Sequence, residues 1–133
     1  MRVNFNIPFT GDLTGMHDVE LHIQVVQRIL EGKPEQALRL LSNYYGVVAP
    51  DLRVGTVKRH RRVLGCYLPN EERIYLSKSE YLSNPFIILH EFYHHLRTSS
   101  GKKRQAEKRA DQFANTFIED FNRFHDSLHM TSD

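Results

Sequence analysis

A chain of 133 residues falls within the size of one domain, and its 40% hydrophobic and 26% charged residues exclude wholesale disorder. A formal net charge of +2 is too small to indicate a nucleic-acid partner by itself, and no apolar run approaches the roughly 20 residues that cross a bilayer. Cys66 is the only cysteine, which excludes an intrachain disulfide and a cysteine-based zinc site, so any metal needs histidine and carboxylate ligands.

The first 50 residues are predicted to form a short strand and a helical hairpin. Residues 3–9 alternate apolar and polar side chains, which is typical of a strand. A first helix should have Asp18 as its N-cap and stop at Gly32, because four apolar residues recur at helical spacing: Val19, Ile23, Val26 and Leu30. A second helix should begin at Pro34 and end at Gly46.

Three segments rich in β-branched and apolar residues predict a small antiparallel sheet: residues 52–57, 63–68 and 73–77. The run Pro-Asn-Glu-Glu at residues 69–72 favours a turn between the last two of these strands. The next helix should have Asn84 as its N-cap and Pro85 in its first turn, and it should run to about Leu96.

A long amphipathic helix is predicted after residues 98–101 interrupt the helical pattern. Its buried face is marked by Ala106, Ala110, Phe113, Phe117 and Phe121. Together the elements predict a single α+β domain over residues 1–133, in which a helical hairpin precedes a short mixed or antiparallel sheet packed on two helices.

The chemistry is predicted to centre on an HExxH motif, His90-Glu91-Phe92-Tyr93-His94, inside the helix that begins near Asn84. Residues four apart lie on one side of an α-helix, so His90 and His94 can converge on one zinc ion. Glu91 then lies beside the metal without binding it.

A catalytic zinc site usually has three protein ligands, and Glu107 is the predicted third ligand. It stands thirteen residues after His94 and shares a helical face with Asp111. Asp111 is predicted to accept a hydrogen bond from the outer nitrogen of a ligand histidine, with His90 as the assigned partner.

HExxH followed by a helix with ExxxD resembles the gluzincin zinc metallopeptidases, and the short chain resembles the minigluzincins. The run Glu107-Lys108-Arg109-Ala110-Asp111-Gln112-Phe113-Ala114 is also similar to the third-ligand helix of the ImmA/IrrE-like peptidases. The resemblance covers about residues 62–118. It implies a zincin-like fold, in which a small sheet covers an active-site helix and a glutamate helix.

The resemblance also implies a mechanism and a substrate. A zinc-activated water would hydrolyse a peptide bond, with Glu91 as the general base that passes the proton to the leaving amine. The substrate would be an extended peptide or protein segment on an edge strand, formed by residues 73–77 or 63–68. The oxyanion donor is unassigned among five candidates: Tyr67, Tyr75, Tyr81, His125 and His129.

Several alternatives stand beside this hypothesis. A non-catalytic, zinc-containing regulatory or nucleic-acid-binding module would use the basic run at residues 58–62, although a solvated turn is favoured there. The tail, about residues 122–133, either frays or folds over the cleft and inhibits the enzyme. His95 is predicted to be a surface or packing residue, and Cys66 a buried packing residue. The N-terminus lacks the apolar core of a secretory signal, which predicts a cytoplasmic protein without a membrane anchor.

Overall fold

The computed structural model describes residues 14–58, 62–97 and 103–131, which form a small α+β unit of four α-helices and a three-stranded mixed sheet. The elements in chain order are α1 (Thr14–Leu30), α2 (Pro34–Tyr45), β1 (Asp51–Val54), β2 (Gly65–Leu68), β3 (Arg73–Leu76), a short 3-10 helix (Ser79–Ser83), α3 (Pro85–Leu96) and α4 (Lys103–Thr131). The strand predicted at residues 3–9 lies outside the described residues.

The helical hairpin of α1 and α2 ends as predicted but begins earlier. Gly32 has a φ of 79°, and the Lys33 N–H donates to the Arg28 carbonyl at 2.8 Å, which closes α1 with a Schellman motif. Asp18 is not the N-cap, because α1 begins four residues before it, at Thr14. The upstream residues carry no apolar repeat, so periodicity placed the start too late.

The apolar residues that indicated α1 do not all lie on its buried face. Val25, Val26 and Ile29 are buried, whereas Val19 and Leu30 are exposed. The cause is tertiary: α1 packs against both α2 and α4, so its buried stripe is turned toward the two helices together. In α2 the predicted Pro34 start and Gly46 end are confirmed, with Gly46 in the left-handed region at φ 72°.

The sheet has the strand order β1-β3-β2, with β1 parallel to β3 and β2 antiparallel to β3. Of the two predicted alternatives, the mixed sheet is confirmed and the fully antiparallel sheet is wrong, because β1 pairs with β3 in the parallel direction. Since β3 lies between the other two strands, it is not an edge, and the alternative that residues 73–77 form an edge is wrong. Of the two segments considered, β2 lies at an edge of the described sheet.

The two C-terminal helices form as the sequence predicted, with one difference in length. The Asn84 side chain caps α3 by accepting the Ile87 N–H at 3.1 Å, and α3 ends at Leu96. Residues 122–131 continue α4, so both alternatives for the tail, a frayed segment and a segment folded over the cleft, are wrong for these residues. At 1.5 Å per residue, position 125 lies about 27 Å from Glu107 along the helix axis.

The core lies between the inner face of the sheet and the four helices. Ile74 and Leu76 of β3 are fully buried, as are Leu89 and Phe92 of α3. From α4, three predicted apolar positions are buried: Ala110, Phe117 and Phe121. Within the described ranges, no helix has both the length and the apolar character that a membrane span requires.

Candidate metal centre

Two histidines of α3 face α4 at the point where the helices pass each other. His90 and His94 lie one turn apart, with ring centroids separated by 5.0 Å. His94 approaches Glu107 of α4, and His90 approaches both Glu107 and Asp111. From His94 back to His90 along α3, the contacts move forward along α4, from Glu107 to Asp111. The two helices are therefore antiparallel here.

The structure brings together the three predicted ligand residues. His90 Nε2 lies 2.9 Å from Glu107 Oε1, and His94 Nε2 lies 2.9 Å from Glu107 Oε2. One donor atom from each residue lies within 4.8 Å of the others. Two ligands of a tetrahedral ion, each at about 2.0–2.1 Å, are separated by roughly 3.4 Å. His90, His94 and Glu107 could therefore hold a metal ion after only small side-chain adjustments.

The orientation of His94 also suits a metal ion. Its Nε2 atom is buried and makes no hydrogen bond, although the Glu107 carboxylate is only 2.9 Å away. The atoms are close enough for a hydrogen bond but poorly aligned for one. A buried nitrogen without a hydrogen bond is costly, and a coordinated cation at this point would satisfy it. Burial also lowers the pKa of His94, against the opposing effect of Glu107, which favours the neutral imidazole that binds metals.

Asp111 makes the contact that the sequence predicted. Its Oδ1 atom lies 2.8 Å from His90 Nδ1, the ring nitrogen that is not directed at Glu107. A carboxylate can only accept, so His90 Nδ1–H donates to Asp111, and Nε2 is the ring nitrogen left facing Glu107. The Glu107 and Asp111 side chains are 51% and 53% exposed, so the centre is open to solvent on the α4 side.

Glu91 lies beside this group without belonging to it. Its Oε2 atom is 4.0 Å from His90 Nε2, and its side chain is only 10% exposed. No described residue donates a hydrogen bond to its carboxylate. Burial raises the pKa of Glu91 to about 7 in the metal-free protein, although the charge of His90 opposes the shift. The group is thus suited to accept and release a proton near neutral pH.

The strand β2 lies on the other side of Glu91. Ile87, Glu91 and His95 are successive residues of one α3 stripe, four positions apart, and this stripe faces β2. A Cβ atom on Gly65 would lie 2.9 Å from Ile87 Cγ2, so the absence of a side chain there permits the close approach of strand and helix. Glu91 is therefore enclosed between the candidate metal ligands and β2.

His95 is buried, which confirms the packing alternative and not the surface one, but its polar contacts were missed. The ring lies 2.7 Å from the Tyr67 hydroxyl through Nδ1 and 2.6 Å from the Val48 carbonyl through Nε2. Periodicity could not have placed Tyr67 on the inner face of its strand, because the apolar side chains of Leu64, Cys66 and Leu68 alternate with it. It could not have placed Val48, because that residue belongs to a loop with no repeating pattern.

The structure separates most of the candidate oxyanion donors from the metal-binding residues. The Tyr67 hydroxyl is bonded to His95, and Tyr75 lies on the opposite sheet face from the buried residues of β3, with its hydroxyl 3.4 Å from Arg73. Tyr81 lies in the 3-10 helix, while positions 125 and 129 belong to the distant part of α4. The basic run is described only at Lys58 and Arg62, so the structure does not test its nucleic-acid hypothesis.

Cys66 should react slowly with alkylating agents in the native protein. Burial raises the pKa of its thiol, and the nearby charge of Glu91 raises that pKa further, so less of the reactive thiolate is present at a given pH. The alkylation rate should start to rise at a higher pH in the native protein than in denaturant. Iodoacetamide labelling between pH 7 and pH 10 measures this difference, and equal native and denatured rates at pH 8 would contradict the packing interpretation.

Comparisons with protein-family models, with curated proteins and with solved structures find no match to this chain. The functional assignment therefore depends on the sequence motif and on the geometry of the side chains around α3 and α4.

Proposed function

We propose that this chain is a zinc-dependent metallopeptidase of the gluzincin type, with His90, His94 and Glu107 as its metal ligands. The donor set of two imidazoles and one carboxylate is typical of catalytic zinc sites, which leave one position for water or substrate. Two observations support the metal: the donors converge within 4.8 Å, and one of them, His94 Nε2, is buried without a hydrogen bond. The same ligand types also suit iron, so metal content is part of the test.

The observation that carries catalysis, rather than metal binding alone, is the position of Glu91. A structural metal site gains nothing from a buried carboxylate next to the ligands, and burying an unpaired carboxylate costs free energy. Glu91 lies 4.0 Å from His90 Nε2 and receives no hydrogen bond from the described residues. A general base in a hydrolase needs this combination of proximity, proton affinity and freedom from other partners.

In the proposed reaction, Glu91 takes a proton from the attacking water and later passes it to the leaving amine nitrogen. A bound divalent ion would supply Lewis acidity toward the water and the scissile carbonyl. Asp111 orients the His90 ring by accepting a hydrogen bond from its Nδ1–H group. The substrate is an extended peptide or protein segment, which pairs with the edge of β2 on the Glu91 side.

The arrangement of the elements is consistent with a zincin-like fold, which is part of the proposal. An active-site helix, α3, packs on a glutamate helix, α4, and the small mixed sheet covers α3. The helical hairpin of α1 and α2 precedes them, as the sequence analysis expected.

Metal content and peptide hydrolysis should be measured together on the purified protein. We expect about one zinc per chain, and cleavage of casein or of quenched fluorescent peptides that stops when a chelator removes the metal. Stoichiometric metal without any cleavage would instead favour a non-catalytic regulatory module. Absence of bound metal after reconstitution would overturn the proposal.

Asp111→Asn should weaken metal binding by about 10- to 100-fold, because the neutral amide is a weaker acceptor for the His90 Nδ1 proton. Competition with a fluorescent zinc chelator measures the affinity directly. Asp126→Asn is the matched control, since Asp126 is exposed on α4 and distant from the metal ligands. Equal affinities of the two variants would show that the Asp111 contact does not support the metal.

A further inference from the structure

A continuous chain of polar contacts joins three separate parts of the structure behind α3. The Tyr67 hydroxyl of β2 lies 2.7 Å from His95 Nδ1, and His95 Nε2 lies 2.6 Å from the carbonyl oxygen of Val48. His95 is 7% exposed, so these contacts are largely shielded from water. We refer to this set as the Tyr67–His95–Val48 chain.

The Val48 carbonyl fixes the direction of one of the two hydrogen bonds, and the neutral tautomer of His95 that this bond selects gives the other its direction. The Val48 carbonyl can only accept, so His95 Nε2 carries a proton and donates it. In the neutral imidazole, Nδ1 is then an acceptor, and the Tyr67 hydroxyl donates to it. Each group thus donates to the next, from Tyr67 to His95 and from His95 to Val48. Successive hydrogen bonds of this kind polarise and strengthen each other.

The Tyr67–His95–Val48 chain meets α3 at His95, which lies one turn from Glu91 on the stripe of α3 that faces β2. One turn before Glu91 on the same stripe, Ile87 packs closely against Gly65 of β2. A Cβ atom added to Gly65 would lie 2.9 Å from Ile87 Cγ2. Following it, His95 is bonded to Tyr67. The separation between β2 and α3 is therefore set by a contact on each side of Glu91.

We infer that Tyr67 and His95 are positioning residues, which fix the distance between Glu91 and a peptide paired with β2. The inference rests on the proposed peptidase function. Neither side chain acts on substrate. The Tyr67 hydroxyl already donates its hydrogen bond to His95, and both ring nitrogens of His95 have partners. Tyr67 is thereby removed from the candidate oxyanion donors and given a different role.

The expected kinetic effect follows from where the chain acts. Loss of the Tyr67 hydroxyl leaves the backbone groups of β2 unchanged, so the pairing of a peptide with this strand is preserved. The strand can then move relative to α3, and the scissile carbonyl is no longer held at one distance from Glu91. Misplacement of this kind lowers the rate of the chemical step more than it weakens substrate binding.

The test is Tyr67→Phe, with Tyr75→Phe as the matched control on the neighbouring strand. We expect Tyr67→Phe to lower kcat by about tenfold, with KM changed by less than about twofold and with zinc content unchanged. Tyr75→Phe should keep the wild-type kcat, since its hydroxyl faces Arg73 on the other side of the sheet. Circular dichroism confirms that each variant is folded at the assay temperature.

A measurement independent of activity is the ¹⁵N chemical shift of the His95 ring nitrogens. We expect a protonated Nε2 and an unprotonated Nδ1 in the wild type, and a shifted Nδ1 resonance in Tyr67→Phe. A protonated Nδ1 would overturn the direction of the hydrogen bonds, and an unchanged kcat in Tyr67→Phe would overturn only the positioning role. Absence of hydrolysis by the wild-type protein would overturn the proposed function and this role with it.

Discussion

Glu91→Gln is expected to lower kcat for peptide hydrolysis by about 100- to 10,000-fold while leaving the metal in place. The amide has nearly the same shape as the carboxylate but cannot accept the proton of the attacking water. Metal content should not change, because Glu91 lies outside the donor group, with its nearest oxygen 4.0 Å from His90 Nε2. The variant therefore separates proton transfer from metal binding.

The matched control for Glu91→Gln is Glu119→Gln. Glu119 lies on α4, is exposed, and is removed from the metal ligands, so the same change of charge should have no kinetic effect. Initial rates with a quenched fluorescent peptide and elemental analysis of the same samples provide both readouts. Wild-type rates in Glu91→Gln would contradict the role of general base, even if the protein contained zinc.

Glu107→Gln is expected to abolish stoichiometric metal binding. The change removes the carboxylate that contacts both His90 and His94 and leaves a site of two imidazoles. Loss of a direct ligand should exceed the roughly 10- to 100-fold loss that follows removal of an outer hydrogen-bond partner. Wild-type protein should gain about 2.7 kcal/mol of stability at a free zinc concentration of 100 times Kd, and this gain should be absent in the variant.

Thermal melting with and without zinc measures this difference, again with Glu119→Gln as the control. In the absence of metal the two variants should differ from the wild type by less than about 1 kcal/mol, because the Glu107 side chain is 51% exposed and its ion pairs are screened by solvent. A Glu107→Gln protein that retains one tightly bound zinc per chain would show that another residue is the third ligand.

The features that could be predicted from the sequence are those with local causes. The start and end of α2 follow from Pro34 and Gly46, and the start of α3 follows from the Asn84 side chain, which caps its own helix. The contact between Asp111 and His90 was predicted from helical periodicity, combined with the need of a zinc-ligating histidine for a hydrogen-bond acceptor at its outer nitrogen. The helix signals act over a few residues, whereas the His90–Asp111 contact joins two helices and was predicted because the chemistry of a zinc site requires such a partner.

The features that could not be predicted depend on contacts between distant parts of the chain. The parallel pairing of β1 with β3 is set by how the chain crosses the sheet. The rotation of α1 depends on its packing against α4, nearly 100 residues later, where His22 contacts Asp120 at 2.6 Å. The contact of His95 with Val48 joins a helix to an irregular loop, for which no residue pattern gives a signal.

The exposure of the α4 side of the candidate metal centre has a consequence for how a metal ion bound there would exchange. Because the Glu107 and Asp111 side chains are about half exposed, an incoming chelator could approach the ion while the histidines still hold it. Exchange would then be associative and would not require the helices to separate. The metal carried by this protein would follow the free-metal concentrations around it, whereas a fully enclosed ion is retained from the time of folding.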